Sequence, residues 1–93
     1  MTTLFSAATA NSNSTVFYAQ NGGTLVITGT FDTCTVALQA SYDSGTTWVG
    51  VTDASYTAET VKVFDADNGA IPFRLNLSSV GGSTSIDAVH VVG

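Results

Sequence analysis

Residues 34–42 read C-T-V-A-L-Q-A-S-Y, and this stretch decides the fold class of the chain. Cys34, Val36, Leu38, Ala40 and Tyr42 occupy every second position, and polar or small residues stand between them. Alternation of period two is typical of a β-strand that buries one face and exposes the other. We therefore expect these five side chains to point toward one hydrophobic core.

The flanking segments repeat this pattern as short β-rich runs separated by Gly, Asn and Asp turns. The predicted strands are 14–20, 24–31, 34–42, 46–51, 60–64, 71–78 and 84–92. Such spacing, with no room for crossover helices, predicts a single antiparallel β-sandwich or jelly-roll-like domain of about seven strands. Consecutive strands are expected to pair with each other.

Three finer expectations follow from the alternation within these strands. Val61 and Val63 are predicted to face inward, which turns Lys62 outward. Gly29 suggests a β-bulge, because glycine inside a strand often marks one. His90 stands between two valines, so we expect it to face solvent or a neighbouring subunit.

Composition limits the partners of the chain. The 93 residues suffice for one domain, and Thr and Val, which favour strands, supply 26 of them. Lys62 and Arg74 are the only basic side chains, and the net charge is −5. Phosphate-rich partners require clusters of Lys and Arg, so nucleic acid and anionic membranes are not expected partners. No apolar run approaches the roughly 20 residues that span a bilayer.

The N-terminal residues 1–13 are polar and small, and we expect a flexible arm that precedes a β-sandwich domain over 14–93. Leu4 and Phe5 would anchor this arm on a neighbouring subunit; a frayed terminus is the alternative. Phe17 and Tyr18 are adjacent, so a flat strand cannot bury both, and one is expected to be offered to a neighbour. The arm lacks the pattern of a secretory signal, which favours synthesis in a cytoplasm.

Residues 41–48 read S-Y-D-S-G-T-T-W and form the sharpest local motif. We predict a structural turn built from Ser41, Asp43, Gly45, Thr47 and Trp48. The aspartate would accept backbone N–H groups, the glycine would supply a positive φ, and the tryptophan would pack beneath the hairpin. The segment resembles the Asp-box of sialidase-like β-propellers, which implies a hairpin stabiliser remote from any active site. The chain is too short to close a propeller, whose blades need about 40–45 residues each.

The residue types that carry catalysis are scarce. His90 is the only His and Cys34 the only Cys, so a Ser-His-Asp triad, a zinc site and an intrachain disulfide are not expected. Residues 65–69, D-A-D-N-G, resemble the start of a calcium loop, but Asn76 stands where the twelfth-position Glu belongs. We predict a turn there, with a weak site at Asp65 and Asp67 as the alternative. No enzyme activity, catalytic residue, metal or cofactor is predicted.

The whole chain resembles the small cement, decoration or fibre-associated β-domains of tailed bacteriophages. The polar arm, the 41–48 hairpin, the scarcity of Lys and Arg, and the strand 73–77 leading to Gly81-Gly82 carry this resemblance. It implies a non-enzymatic virion structural protein on the phage particle surface, binding the major capsid protein lattice or another virion protein, as a trimer. The predicted interface comprises Leu4, Phe5, Phe17 and Tyr18.

Two other functions fit the sequence. The first is a carbohydrate-binding or fibre- and tail-associated adhesion module, because sugars bind exposed aromatic rings flanked by planar polar groups. Its candidate residues are Tyr18, Tyr42, Trp48, Tyr56, Gln20, Gln39 and Asn76. The second is a tail or fibre component that oligomerises without contacting the capsid.

Overall fold

The computed structural model describes residues 1–18, 22–64 and 71–91. These residues form nine strands and no helix, arranged as two antiparallel sheets packed face to face. The strands are β1 (Thr2–Ala8), β2 (Ser12–Asn13), β3 (Phe17–Tyr18), β4 (Gly23–Thr30), β5 (Thr35–Ser41), β6 (Trp48–Tyr56), β7 (Thr60–Phe64), β8 (Pro72–Ser78) and β9 (Ser85–Val91). The predicted all-β sandwich is confirmed.

The four-stranded sheet has the order β1-β9-β4-β7. In the five-stranded sheet β8 pairs with both β2 and β3 on one side and with β5 on the other, and β6 forms the far edge. Among the described strands, only β5 and β6 are consecutive in the chain and paired with each other. The expectation that consecutive strands pair is therefore wrong elsewhere, because most connections step across the roughly 10 Å between the two sheets.

The core lies between the sheets and is built by the alternation that the sequence displays. Cys34, Val36 and Leu38 are almost fully buried, as predicted. Tyr42 is 74% exposed because β5 ends one residue earlier, at Ser41. The buried apolar side chains are Leu4, Phe5, Phe17, Leu25, Ile27, Phe31, Cys34, Val36, Leu38, Ala54, Phe64, Phe73, Leu75, Leu77, Ile86 and Ala88.

The predicted free arm over residues 1–13 is corrected by the structure. Residues Thr2–Ala8 form β1, which pairs antiparallel with β9. Leu4 and Phe5 are adjacent, yet both are buried in the core of their own chain. A register shift between Thr3 and Phe5 allows this, because an irregularity breaks the strict alternation of side chains. The sandwich thus begins at Thr2 rather than at residue 14.

The predicted orientation of β7 is inverted. Val61 and Val63 are 67% and 72% exposed, whereas Lys62 is half-buried and pairs with Leu25 of β4. Phe64 is buried in the core, and the period of two then turns Lys62 inward with it. The Lys62 ammonium lies 5.5 Å from the centroid of the Phe64 ring.

One strand limit and three single residues also differ from the prediction. The polar connection predicted over 52–58 is largely strand, because β6 continues to Tyr56. Pro72 is buried and Ile71 is 43% exposed, the reverse of the prediction. Gly29 is no bulge against β9, since the pairing continues in one register from Thr24 to Thr30.

Candidate functional sites

The 41–48 hairpin joins β5 to β6 and is organised by one serine and one aspartate. The Asp43 carboxylate accepts hydrogen bonds from the backbone N–H of Thr47 at 2.7 Å and from the Ser41 hydroxyl at 2.8 Å. The Ser41 hydroxyl oxygen accepts the backbone N–H of Gly45 at 2.8 Å. Gly45 has a φ of 97°, which favours glycine. Ser41 and Asp43 thereby accept hydrogen bonds from the backbone N–H groups of their own turn.

The pKa of Asp43 lies below its ordinary value because donors surround its charged form. The largest cause is the backbone N–H of Thr47, followed by the hydroxyl of Ser41. Both donors belong to the hairpin itself. The carboxylate is therefore engaged in holding the turn.

Trp48 lies on the outer face of the five-stranded sheet, half-buried, rather than beneath the hairpin in the core. Its indole N–H donates to the carbonyl of Gly45 at 3.0 Å. The guanidinium carbon of Arg74 stands 4.4 Å from the ring centroid, and the Arg74 Nε donates to Gln39 Oε1 at 2.8 Å. Arg74 thus covers a face of the indole ring and links the hairpin to β8.

The structure corrects the predicted position of His90. The side chain is 1% exposed and lies against Phe17 and Phe64, not in solvent or at a subunit contact. Its Nε2 is 3.2 Å from the carbonyl oxygen of Gly22. The alternation within β9 could have predicted this burial, because His90 shares a face of the strand with Ile86 and Ala88, and both are buried.

Three of the four predicted interface residues are unavailable to a partner. Leu4, Phe5 and Phe17 are 5%, 6% and 3% exposed, because their own chain buries them in the core. The predicted interface is corrected to this extent. Tyr18 is 52% exposed, and it points away from the core beside buried Phe17. The expectation that only one of these adjacent aromatics can face inward holds.

Tyr18 belongs to a group of exposed apolar residues at one end of the five-stranded sheet. Val16, Tyr42 and Ile71 are 44%, 74% and 43% exposed. Tyr18 pairs with Pro72, the neighbour of Ile71. Ala40 of β5 pairs with Phe73 of β8, which brings Tyr42 and Ile71 to the same sheet end. We name Val16, Tyr18, Tyr42 and Ile71 the tyrosine rim.

A second apolar surface covers the outer face of the four-stranded sheet. Val89 of β9 pairs with Val26 of β4, which pairs with Val61 of β7. The next row places Val91, Thr24 and Val63 side by side. This surface was not predicted from the sequence, because the predicted orientation of β7 places Val61 and Val63 in the core. We name this surface the valine patch; its members are Val26, Val61, Val63, Val89 and Val91.

The candidate carbohydrate ligands are dispersed. Tyr56 lies in β6, half-buried, and burial raises the pKa of its hydroxyl, so it is not the loop aromatic expected. Gln39 and Asn76 are on the outer face of the five-stranded sheet, engaged by Arg74 and Asn13 respectively. Gln20 lies outside the described residues, as do Asp65 and Asp67 of the calcium alternative.

Cavities and metal-ligating clusters are not found among residues 1–18, 22–64 and 71–91. Cys34 is buried, and burial raises the pKa of its thiol. Over the same residues, no helix has the length and apolar character that crossing a membrane requires.

Comparison of the chain with protein-family models, with curated proteins and with solved structures gave no match.

Proposed function

We propose that this chain is a non-enzymatic structural protein of a bacteriophage particle, a cement or decoration module that binds the major capsid protein lattice as a homo-oligomer, with three copies expected. One observation carries the proposal: the exposed large apolar side chains are concentrated on two separate, open surfaces. Among the residues that the structure describes, seven of the nine are members of the tyrosine rim or the valine patch, and the other two are Met1 and Val49. A lattice-binding oligomer requires two such surfaces, one for its own copies and one for the lattice.

The character of these surfaces supports a protein partner. Tyr18 and Tyr42 present large, rigid rings with a polar tip, which suit protein interfaces. The chain carries few Lys, Arg, Glu and Gln side chains, so little rotamer entropy is lost on binding. We assign the tyrosine rim to the lattice contact because it keeps Tyr18, the one residue of the predicted interface that remains accessible.

Co-sedimentation with capsid shells tests this proposal. Shells assembled from the major capsid protein of the same genome are mixed with the wild-type chain, with Tyr18→Ser and with Ala58→Ser. Ala58 is exposed and follows β6 at the end of that strand away from Tyr42, so it is a control outside the tyrosine rim. Wild type and Ala58→Ser are expected in the pellet, and Tyr18→Ser largely in the supernatant. Absence of the wild-type chain from the pellet would contradict the proposal.

The carbohydrate-binding alternative has one observation in its favour and one against it. Gln39, Asn76 and Asn13 place planar amides on the outer face of the five-stranded sheet, the face that also carries Trp48. Arg74, however, already covers a face of the indole ring on which a sugar would stack. A glycan that quenches or enhances Trp48 fluorescence saturably, without any binding to shells, would favour this alternative.

A further inference from the structure

We infer that the valine patch is the surface through which copies of this chain associate, patch against patch. The inference deepens the proposed homo-oligomer by naming its contact, and it rests on that part of the proposal, not on capsid binding. It starts from the exposure of the patch. Val61, Val63 and Val91 are 67%, 72% and 41% exposed, and they flank the half-buried Val26 and Val89.

The inverted orientation of β7 creates this surface. Lys62 turns inward and its ammonium lies over the Phe64 ring, so the exposed face of this edge strand carries valines only. A charged side chain on the outer face of an edge strand opposes association. In β7 the one charged side chain, Lys62, points toward the core, and the outer face presents exposed valines.

The distribution of charge favours a second copy of this chain as the partner of the valine patch. Within the described residues, no Lys, Arg, Asp or Glu lies in the two valine rows. The nearest carboxylates on this face are Asp87 and Glu59, each two residues from a patch valine along its own chain segment. Asp87 accepts the backbone N–H of Ala7 at 3.0 Å, and Glu59 accepts the backbone N–H of Gly29 at 3.1 Å, so both are engaged beyond the two valine rows. The chain as a whole carries a net charge of −5. Two identical anionic chains can approach closely only through an uncharged surface, and the patch is uncharged on both partners.

The size of the face sets the expected strength of association. Four strands about 4.8 Å apart and about seven residues long give an outer face of roughly 400 Å² per copy. Contacts that bury less than about 1,200 Å² in total belong to weak, transient assemblies. We therefore expect association that depends on concentration in the micromolar range. Binding to a lattice would raise the local concentration and favour the same contact.

Symmetry is compatible with this contact. A twofold axis through the patch would set valine rows against valine rows. Three copies around an axis can also direct their patches toward it. The number of copies is a readout of the experiment.

The test measures solution mass by light scattering across micromolar concentrations for wild type, Val63→Asp and Val49→Asp. Both substitutions add one carboxylate to an exposed valine of an edge strand, so net charge is matched. Wild type and Val49→Asp are expected to rise toward two or three times 9.5 kDa with concentration. Val63→Asp is expected to remain at the single-chain mass. Circular dichroism of each variant confirms folding.

A second variant keeps the test decisive if Val63→Asp fails to fold. Val61→Thr with Val63→Thr retains β-branched side chains and removes the apolar surface without adding charge, and it is expected to lose the oligomer. A wild-type chain that stays at 9.5 kDa at every concentration, or a Val63→Asp or threonine variant that associates like wild type, would overturn the inference. A wild-type chain that binds shells as a monomer would contradict only the inference about the valine patch. An oligomer that does not bind shells would contradict only the proposed binding to the capsid lattice.

Discussion

The imidazole of His90 stacks against the phenyl ring of Phe17, with 4.8 Å between the ring centroids and 31° between their planes. Phe64 approaches the same imidazole edge-on at 5.8 Å. The only histidine of the chain is thus a structural member of the core, at the end of the sandwich where β3, β7, β8 and β9 meet. Aromatic pairs of this kind add stability beyond the area that they bury.

Replacing His90 by alanine should therefore destabilise the fold. Loss of the ring leaves a cavity beside Phe17 and Phe64, and we expect the free energy of unfolding to fall by about 2–4 kcal/mol. Urea unfolding monitored by circular dichroism measures the change. Tyr42→Ala, at an exposed position, should shift it by less than about 0.5 kcal/mol. Equal effects from both substitutions would show that His90 is not packed in the core.

The lowered pKa of Asp43 makes the hairpin sensitive to acid. A carboxylate whose folded pKa lies below its unfolded value of about 3.9 contributes stability above that value and loses it as pH falls through the folded pKa. Wild type should therefore exceed Asp43→Asn in urea midpoint at pH 6. The difference should shrink steadily below about pH 4. A difference that stays constant between pH 6 and pH 2.5 would contradict a role for the charged form.

The stacking of Arg74 on Trp48 should appear as an energetic coupling. Because the ring is half-buried rather than buried, the contact is expected to contribute about 0.5–1 kcal/mol. A double-mutant cycle of Trp48→Ala and Arg74→Ala, measured by urea unfolding, gives the coupling free energy between the two side chains. Additive effects of the two substitutions would show that the guanidinium and the indole do not interact in solution.

Gly29 should resist substitution although it lies near a strand end. Its φ is 120°, and a β-carbon added there would collide with the backbone carbonyl oxygen of Ser85 on β9. Gly29→Ala should cost more than about 1 kcal/mol, because both the backbone conformation and the space oppose a side chain. Gly50→Ala is the control, since nothing lies within 4 Å of the corresponding position. A smaller loss for Gly29→Ala than for Gly50→Ala in thermal melting would refute this account.

The fold class was predictable because the alternation in residues 34–42 and 71–78 is strong and depends only on strand periodicity. Strand partners were not predictable, since periodicity assigns a face and says nothing about which sheet a strand joins. The burial of Leu4 and Phe5 was not predictable, because two adjacent buried residues violate the period of two. Only the register shift in β1 permits both side chains to reach the core.

The valine patch was not predictable from the sequence for a different physical reason. In β7 the alternation could be placed either way, and two valines outweigh one lysine in any hydrophobic count. The aromatic cluster decides the orientation, because Phe64 packs against Phe17 and Phe73 and fixes the parity of the strand. That contact joins residues 47 positions apart in sequence, as in Phe17 and Phe64, and no local pattern reports it.

The proposed binding to a capsid lattice is tested most directly by the number of chains bound per major capsid protein on assembled shells as the chain concentration rises. We predict saturation at a fixed ratio set by the lattice, with Tyr18→Ser requiring a higher concentration to reach the same ratio. Binding that never saturates, or no binding at concentrations that saturate other lattice proteins, would contradict the claim.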